Sequence, residues 1–275
     1  MSLMDLAPDL MEKYRRLDEY LRDLRSLVVA YSGGVDSGLL ATAAYQALGP
    51  KMLAVTIRSQ VETVDGVETA VAAAKALGFP HRVVDFDDLA NHQFVANPPD
   101  RCYVCKRSRL GELKKMATEW GYAAVAEGSN LDDGSDYRPG KRAVSELGVL
   151  SPLAQTGFSK PEVRLLAKAL GLPSWDRPSA PCLATRFPYG SPVTREGLAQ
   201  VALGEDYLQR LGYIPVRVRY YGELARLEVS TEAIARLVTE REEIAQYFLS
   251  IGFTHVTVDL LGYRSGSMNE GLASK

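Results

Sequence analysis

What this sequence has little of narrows its class before any motif is read. Three cysteines in 275 residues are too few, and odd in number, for the disulfide framework of a small secreted domain, so metal binding or catalysis is the better reading of them. Basic residues are not in excess. Against 32 Lys and Arg stand 34 Asp and Glu, the formal net charge is −2 and the isoelectric point lies near 6.0, so no global positive field marks a nucleic-acid partner. Long apolar runs are also missing, none approaching the roughly 20 residues of a membrane-spanning helix. Asp5, Asp9 and Glu12 stand where a signal peptide needs an apolar core, and a cytoplasmic location is expected. No internal repeat or low-complexity tract occurs. What is present, 46% hydrophobic residues in a chain longer than one typical domain, suits a soluble two-domain enzyme.

Apolar periodicity then organises the chain. Leu10, Tyr14, Leu17, Leu21 and Leu24 recur at helical spacing behind Pro8, a residue that a first turn tolerates. Strands are expected at 27–31, 52–57, 81–85 and 123–126, with helices around 39–48, 67–77 and 110–120. That alternation predicts an α/β fold with a doubly wound parallel sheet and a ligand beyond the carboxyl ends of its strands. Pro173, Pro178, Pro181, Pro188 and Pro192 crowd an aperiodic stretch, after which come a helix at 195–211, strands at 216–221 and 225–229, a helix at 231–251 and a strand at 255–260. The expected division is a nucleotide domain over 1–172 and, over 173–275, a linker with Cys182 followed by a smaller α+β domain for substrate binding or oligomerisation. The tail from Ser265 is polar.

The richest segment runs from Leu27 to Ser37, where an apolar strand stops at Ser32-Gly33-Gly34 and a helical pattern follows. Gly33 and Gly34 let backbone amides approach a ligand, and the next helix offers unpaired N–H groups and the positive end of its dipole. Polyphosphate fits there better than an ordinary glycine turn does. Ser32 and Ser37 add hydroxyl donors, while Asp36 suits magnesium or the ordering of the loop. No Gly-Lys-Ser/Thr follows, which excludes the phosphate loop of kinases and GTPases. Ser-Gly-Gly-x-Asp-Ser after an apolar strand resembles instead the pyrophosphate loop (PP-loop) of the N-type ATP pyrophosphatases, and with it the adenine nucleotide alpha hydrolase-like fold.

Other constellations carry chemistry as well. Glu127-Gly128-Ser129-Asn130-Leu131-Asp132-Asp133, with Asp136 beyond, follows a strand and offers carboxylates for magnesium and the reacting phosphate, or else an Asx-rich turn and helix cap. Arg58 and Ser59 end the second strand, where adenosine is expected, although strand-end polar residues are often only caps. Cys102 and Cys105 lie beside Lys106, Arg107 and Arg109, and Cys182 stands apart; basic neighbours favour the thiolate. Three thiolates are one short of a closed zinc site but suffice for a 4Fe-4S cluster with an open iron. A zinc site completed by His92 or His81, a Cys102–Cys105 redox pair, and inert buried thiols are the other readings. Arg217 and Arg219, at i and i+2 of an expected strand, either clamp a phosphate or line a solvated face.

Taken together, the Ser32–Ser37 loop, Glu127–Asp133, Asp136-Tyr137-Arg138-Pro139-Gly140, Ser151-Pro152-Leu153 and the run from Trp175 to Gly190, with Pro181-Cys182-Leu183-Ala184-Thr185-Arg186 at its centre, resemble the LarE-type ATP-dependent sulfur transferases over most of the chain. The resemblance implies ATP and magnesium as cofactors. It also implies adenylylation of a carboxylate on a pyridinium mononucleotide and its conversion to a thiocarboxylate, a step in making the nickel-pincer nucleotide cofactor of lactate racemase. It gives Cys182 the sulfur-donor position, and the added Cys102 and Cys105 depart from members in which one cysteine is sacrificed to dehydroalanine. Asp133 is expected to act at the phosphates, and Arg186, Arg217 and Arg219 to hold the substrate phosphate. Gly128 and Asn130 belong with the nucleotide site, and a homo-oligomer is expected. A tRNA thiolase, an ammonia-using amide synthetase and a non-catalytic nucleotide-binding regulator are the alternatives; no glutaminase segment is present, and the charge balance speaks against tRNA.

Overall fold

A computed structural model of the chain describes residues 3, 6–134, 140–177, 181–264 and 266–269. In chain order the elements are α1 (Pro8–Arg22), β1 (Leu27–Ala30), α2 (Val35–Leu48), β2 (Met52–Arg58), α3 (Val64–Leu77), β3 (His81–Asp85), α4 (His92–Val95), α5 (Arg101–Glu119), β4 (Ala124–Ala126), α6 (Gly140–Glu146), α7 (Pro152–Gln155), α8 (Lys160–Ala169), α9 (Arg195–Arg210), β5 (Val216–Tyr221), β6 (Leu224–Val229), α10 (Ile234–Thr239), α11 (Arg241–Ser250) and β7 (His255–Val258). No helix among the described residues is long and apolar enough to cross a membrane.

Two compact units share this chain. The first comprises Met1–Phe86 and Cys102–Ala180, the second Asp87–Arg101 and Pro181–Lys275. The second unit thus begins at Pro181 rather than Pro173 and takes in 87–101, a segment with too little periodicity to stand out in the sequence. It belongs there because Val193 N–H donates to Val95 O (2.9 Å) and Gly190 N–H to Asn97 O (2.8 Å).

The first unit is built on a parallel sheet in the order β3-β2-β1-β4. Its central strands are apolar on both faces, as a covered parallel sheet requires. Leu27 and Val29 of β1 with Met52 and Ala54 of β2 pack among Leu17 and Leu21 of α1, Leu39 and Leu40 of α2, and Leu166 of α8. Val28, Leu53 and Val55 turn the other way, onto Leu110, Leu113 and Ala117 of α5. The period of two along each strand is what loads both faces and makes the sheet doubly wound. Helix α5 starts nine residues before the expected 110 because its first half, Arg101 to Arg109, is polar and carries no apolar stripe. Helices α6, α7 and α8 were not anticipated from periodicity.

The second unit holds a three-stranded sheet in the order β5-β6-β7, with β5 antiparallel and β7 parallel to β6. The single helix expected over 231–251 is broken at Glu240, whose ψ of 12° departs from the helix while its carboxylate accepts from Tyr213 Oη (2.7 Å) and Arg236 Nε (2.8 Å).

Glycine 33 fixes where the first unit's ligand edge lies. Its φ is +76°, and a Cβ there would stand 2.9 Å from Ala70 Cβ and 3.0 Å from Ala70 Cα of α3. Gly78 has a similar φ, +73°, with nothing within 4 Å. Both Gly→Ala substitutions therefore carry the left-handed cost of about 1–2 kcal/mol, and only Gly33→Ala adds a collision. Calorimetry should find Gly33→Ala several degrees less stable than Gly78→Ala; equal melting temperatures would mean that α3 yields and that the close approach does not constrain the loop.

Candidate functional site

In the first unit the Ser32-Gly33-Gly34 turn joins β1 to α2 at the carboxyl edge of the parallel sheet. Inside the turn, Ser32 N–H donates to Ser37 Oγ (3.2 Å), Gly34 N–H to Ser32 Oγ (3.4 Å), and Ser37 Oγ to Gly34 O (3.3 Å). The two hydroxyls stand 3.1 Å apart. No side chain caps α2, whose N-cap is Gly34, so its first amides and its dipole face outward from the loop. The turn is anchored from beneath by Thr56, whose hydroxyl donates to Tyr31 O (2.8 Å) and meets His81 Nε2 at 2.8 Å. Burial keeps the His81 imidazole below its ordinary pKa, which suits a neutral ring engaged in structure.

Beside the turn, β4 ends at Ala126 and the chain passes through Glu127 and Gly128. A Cβ on Gly128 would lie 2.7 Å from Ser37 N and 2.9 Å from Ser37 Cα, so only glycine lets the β4 exit touch the start of α2. Glu127 is buried and collects Lys106 Nζ (2.9 Å), Ser151 Oγ (2.6 Å), Ser129 Oγ (2.8 Å) and Ser129 N–H (3.1 Å). Burial pushes its carboxyl up, but the Lys106 charge and these hydrogen bonds outweigh it and leave the group below the usual carboxylate range.

Asp36 is held on both oxygens: Oδ1 accepts from Asn130 Nδ2 (2.9 Å), and Oδ2 pairs with Lys160 Nζ at the start of α8. Asn130 is the hub of the following turn, its Oδ1 accepting from Asp132 N–H (3.0 Å) and Asp133 N–H (3.3 Å) while its own N–H donates to Asp133 Oδ2 (3.0 Å). Asp132 Oδ2 accepts from Lys160 N–H (2.8 Å). The acidic run thus does the turn-ordering work that was its alternative reading, and it brings Lys160, which sequence reasoning missed, into the site. The available signal was Ser159-Lys160-Pro161-Glu162, a capping box that opens a helix. Asp136 lies outside the described residues.

The adenosine expectation at Arg58 and Ser59 meets competition. Arg58 is bidentate to exposed Asp85 (2.6 and 3.0 Å), and Ser59 Oγ accepts from Arg109 Nη2 (2.5 Å), which also holds Glu62 (2.6 Å). Cys102 and Cys105 fall one turn apart on α5, Cys102 exposed and Cys105 half-buried. Cys182 belongs to the second unit, and none of the three is in a disulfide. Among the described residues no group of three or more His, Cys, Asp or Glu side chains is placed to hold a metal ion. Three thiolates are the right donors for a 4Fe-4S cluster.

In the second unit Arg186 is not free to hold a phosphate. It is 3% exposed, with Nε and Nη2 bidentate to Glu205 (2.9 and 2.7 Å) and Nη1 donating to Pro181 O (2.8 Å), Cys182 O (3.1 Å) and Thr185 Oγ1 (2.8 Å). Its guanidinium fixes the Cys182 backbone instead. Glu205 was legible as a charge on the apolar stripe Leu198, Val201, Leu208 of α9. Arg217 and Arg219 share a face of β5 as expected, but they are not equivalent. Arg219 is committed to buried Glu228 (2.6 Å) and Ser267 Oγ (2.9 Å), whereas Arg217 makes no ion pair among the described residues. Burial, and then the nearby Arg186 charge, lower its pKa.

Comparison with known proteins adds the following. Residues 9–106 match the NAD synthase family. An uncharacterized protein of Synechocystis is 44% identical over 265 residues, covering 96% of this chain and 99% of the relative. The pyridinium-3,5-bisthiocarboxylic acid mononucleotide synthase of Lactiplantibacillus plantarum is 37% identical over 253 residues, 92% of each chain. A glutamine-hydrolyzing GMP synthase of Aeropyrum pernix is 32% identical over 191 residues, 62% of this chain and 36% of the relative.

Two outcomes test the electrostatics. Arg186→Met strands Glu205 as a buried unpaired charge and should cost about 3–5 kcal/mol in denaturant melts; a loss under 1 kcal/mol would make the pair dispensable. Glu127 has a folded pKa below its unfolded value near 4.5, so its ionised form stabilises the fold above that pH, and the stabilisation is lost as pH falls through the folded value. Glu127→Gln should therefore melt lower at neutral pH and show a shallower acid limb; an unchanged acid limb would contradict the assignment.

Proposed function

The chain belongs to the LarE-type ATP-dependent sulfur transferases among the PP-loop ATP pyrophosphatases, and from that premise we propose that it converts a carboxylate of a pyridinium biscarboxylic acid mononucleotide to a thiocarboxylate, in biosynthesis of the nickel-pincer cofactor. The observation that carries the reading is the uncapped N-terminus of α2 behind Ser32-Gly33-Gly34 at the carboxyl edge of a parallel sheet.

A carboxylate is a poor acyl donor because its leaving group would be oxide. Attack of a carboxylate oxygen on the α-phosphorus of ATP forms an acyl–O–P bond and breaks the α–β anhydride, and pyrophosphate leaves into the loop. There the α2 amides and the Ser32 and Ser37 hydroxyls receive its charge. Magnesium carried with ATP would supply further charge neutralisation; Asp36 would be the loop carboxylate to meet it, and Asp132 the carboxylate of the adjoining turn. Lys160 and Asn130 keep Asp36 oriented until then. Arg217 holds the phosphate of the mononucleotide, with Arg219 behind it. Sulfur then attacks the acyl carbon and AMP leaves with the C–O bond broken. Where Cys182 supplies that sulfur, the resulting thioester loses its Cα proton, the Cβ–Sγ bond breaks, and thiocarboxylate and dehydroalanine result. A 4Fe-4S site on Cys102, Cys105 and Cys182 that relays external sulfide is the competing source. The enzyme acts on a small nucleotide as a homo-oligomer in the cytoplasm.

Mass spectrometry of the enzyme after one turnover decides the source. The sacrificial reading expects loss of one H2S from the Cys182 peptide and full activity in Cys102→Ala. An intact Cys182, with activity abolished by each single Cys→Ala change and iron and sulfide present after anaerobic reconstitution, would overturn it. Arg217→Ala should raise KM for the mononucleotide at least tenfold and leave ATP binding unchanged; an unaltered KM would remove Arg217 from the substrate site.

A further inference from the structure

The segment 87–101 interrupts the first unit's sequence and is spent on the second unit's cysteine loop. Asn97 is fully buried and, at φ +54°, is the sole non-glycine residue with a positive φ among those described. Its carboxamide donates to Pro188 O (2.7 Å), Ser191 O (2.9 Å) and Phe187 O (3.5 Å), while its backbone carbonyl accepts from Gly190 N–H (2.8 Å). Asn97 Oδ1 accepts from Arg101 Nη1, and the same nitrogen donates to Ala184 O (2.9 Å). Arg101 is 3% exposed, makes no ion pair among the described residues, and lies 5.4 Å from the Tyr189 ring centroid. A buried guanidinium given only to carbonyl groups and an aromatic face contributes little to stability for its desolvation cost. Its geometric effect is specific: it joins the Asn97 corner to the turn that starts at Cys182.

That turn is tight. Cys182 O accepts from Thr185 N–H (3.0 Å), Thr185 Oγ1 (2.8 Å) and Arg186 Nη1 (3.1 Å), so the main chain at the cysteine is held from its own side by Arg186–Glu205. The far side of the loop, 184–191, has Asn97 and Arg101 as its polar anchors, with Arg219 Nη1 adding one bond to Thr185 O (3.2 Å). Without the Asn97 corner the carbonyls of Pro188 and Ser191 lose their donor and residues 187–191 are released.

We propose that Asn97 and Arg101 are positioning residues for sulfur transfer: they fix the 182–191 loop so that Cys182 is presented in one orientation, and they take no part in adenylylation. The proposal rests on the sulfur-transferase reading above. Asn97→Gly tests it, because glycine keeps the positive φ and deletes the carboxamide. Carboxylate-dependent pyrophosphate release should stay within twofold of wild type, thiocarboxylate formation should fall at least tenfold, and peptide-resolved alkylation of Cys182 by iodoacetamide should speed up severalfold. A merely structural role would lower both half-reactions together. Arg101→Met, which removes the donor to Asn97 Oδ1 and Ala184 O, should give the same split where Asn97→Gly melts too low to assay. Half-reactions that fall in parallel, or an unchanged Cys182 alkylation rate in both variants, would overturn the proposal. Failure of the wild type to release pyrophosphate would instead overturn the sulfur-transferase reading, and the alkylation rates would still judge the positioning role.

Discussion

The nucleotide end of this protein depends on one backbone contact, the approach of the α2 N-terminus to the chain leaving β4. A Cβ on Gly128 would lie 2.7 Å from Ser37 N, and one on Gly33 would strike Ala70. With both positions glycine, the α2 amides, the Ser32 and Ser37 hydroxyls and the Glu127–Asp133 turn meet at one sheet edge. Helix dipole, uncapped amides and hydroxyl donors then act on the same small volume, the arrangement that favours a polyanion. Asp36 is an apparent contradiction there, a carboxylate at a phosphate site. Lys160 and Asn130 resolve it by pairing both of its oxygens.

The second unit solves a different problem, how to hold a short cysteine loop whose regular structure among the described residues is the single 3-10 turn Leu183–Arg186. It does so with buried charge. Arg186–Glu205 lies beneath Cys182, Arg219–Glu228–Arg226 crosses the sheet, and Asn97 with Arg101 grips the far side of the loop. Such networks are costly to bury and add little net stability, but each partner has few alternative geometries. Arg217 is the exception, half-buried among these charges and without an ion pair among the described residues.

Much of the first unit was legible because its signals are local. The apolar runs at 27–30 and 52–58, the glycine turn and the helical stripe behind it each state their own conformation, and β3 and β5 fall where they were expected. What stayed hidden is non-local. The polar first half of α5 conceals a helix that carries Cys102 and Cys105, and 87–101 shows no sign that it belongs with 181–269. Arg186 and Arg219 carry the residue type of a phosphate clamp, and only packing reveals that their partners are Glu205 and Glu228. The carboxylates at 132 and 133 read as metal ligands or turn caps, and no sequence pattern announces that Asp133 Oδ2 accepts from Asn130 N–H and Asp132 Oδ2 from Lys160 N–H.

A Ser32–Ser37 loop that receives pyrophosphate requires ATP to be cleaved between its α and β phosphates. Phosphorus NMR of a reaction containing ATP, magnesium and the biscarboxylic acid mononucleotide measures this directly. AMP and pyrophosphate should form in equal amounts, and only when the carboxylate is present. ADP and inorganic phosphate would contradict that cleavage.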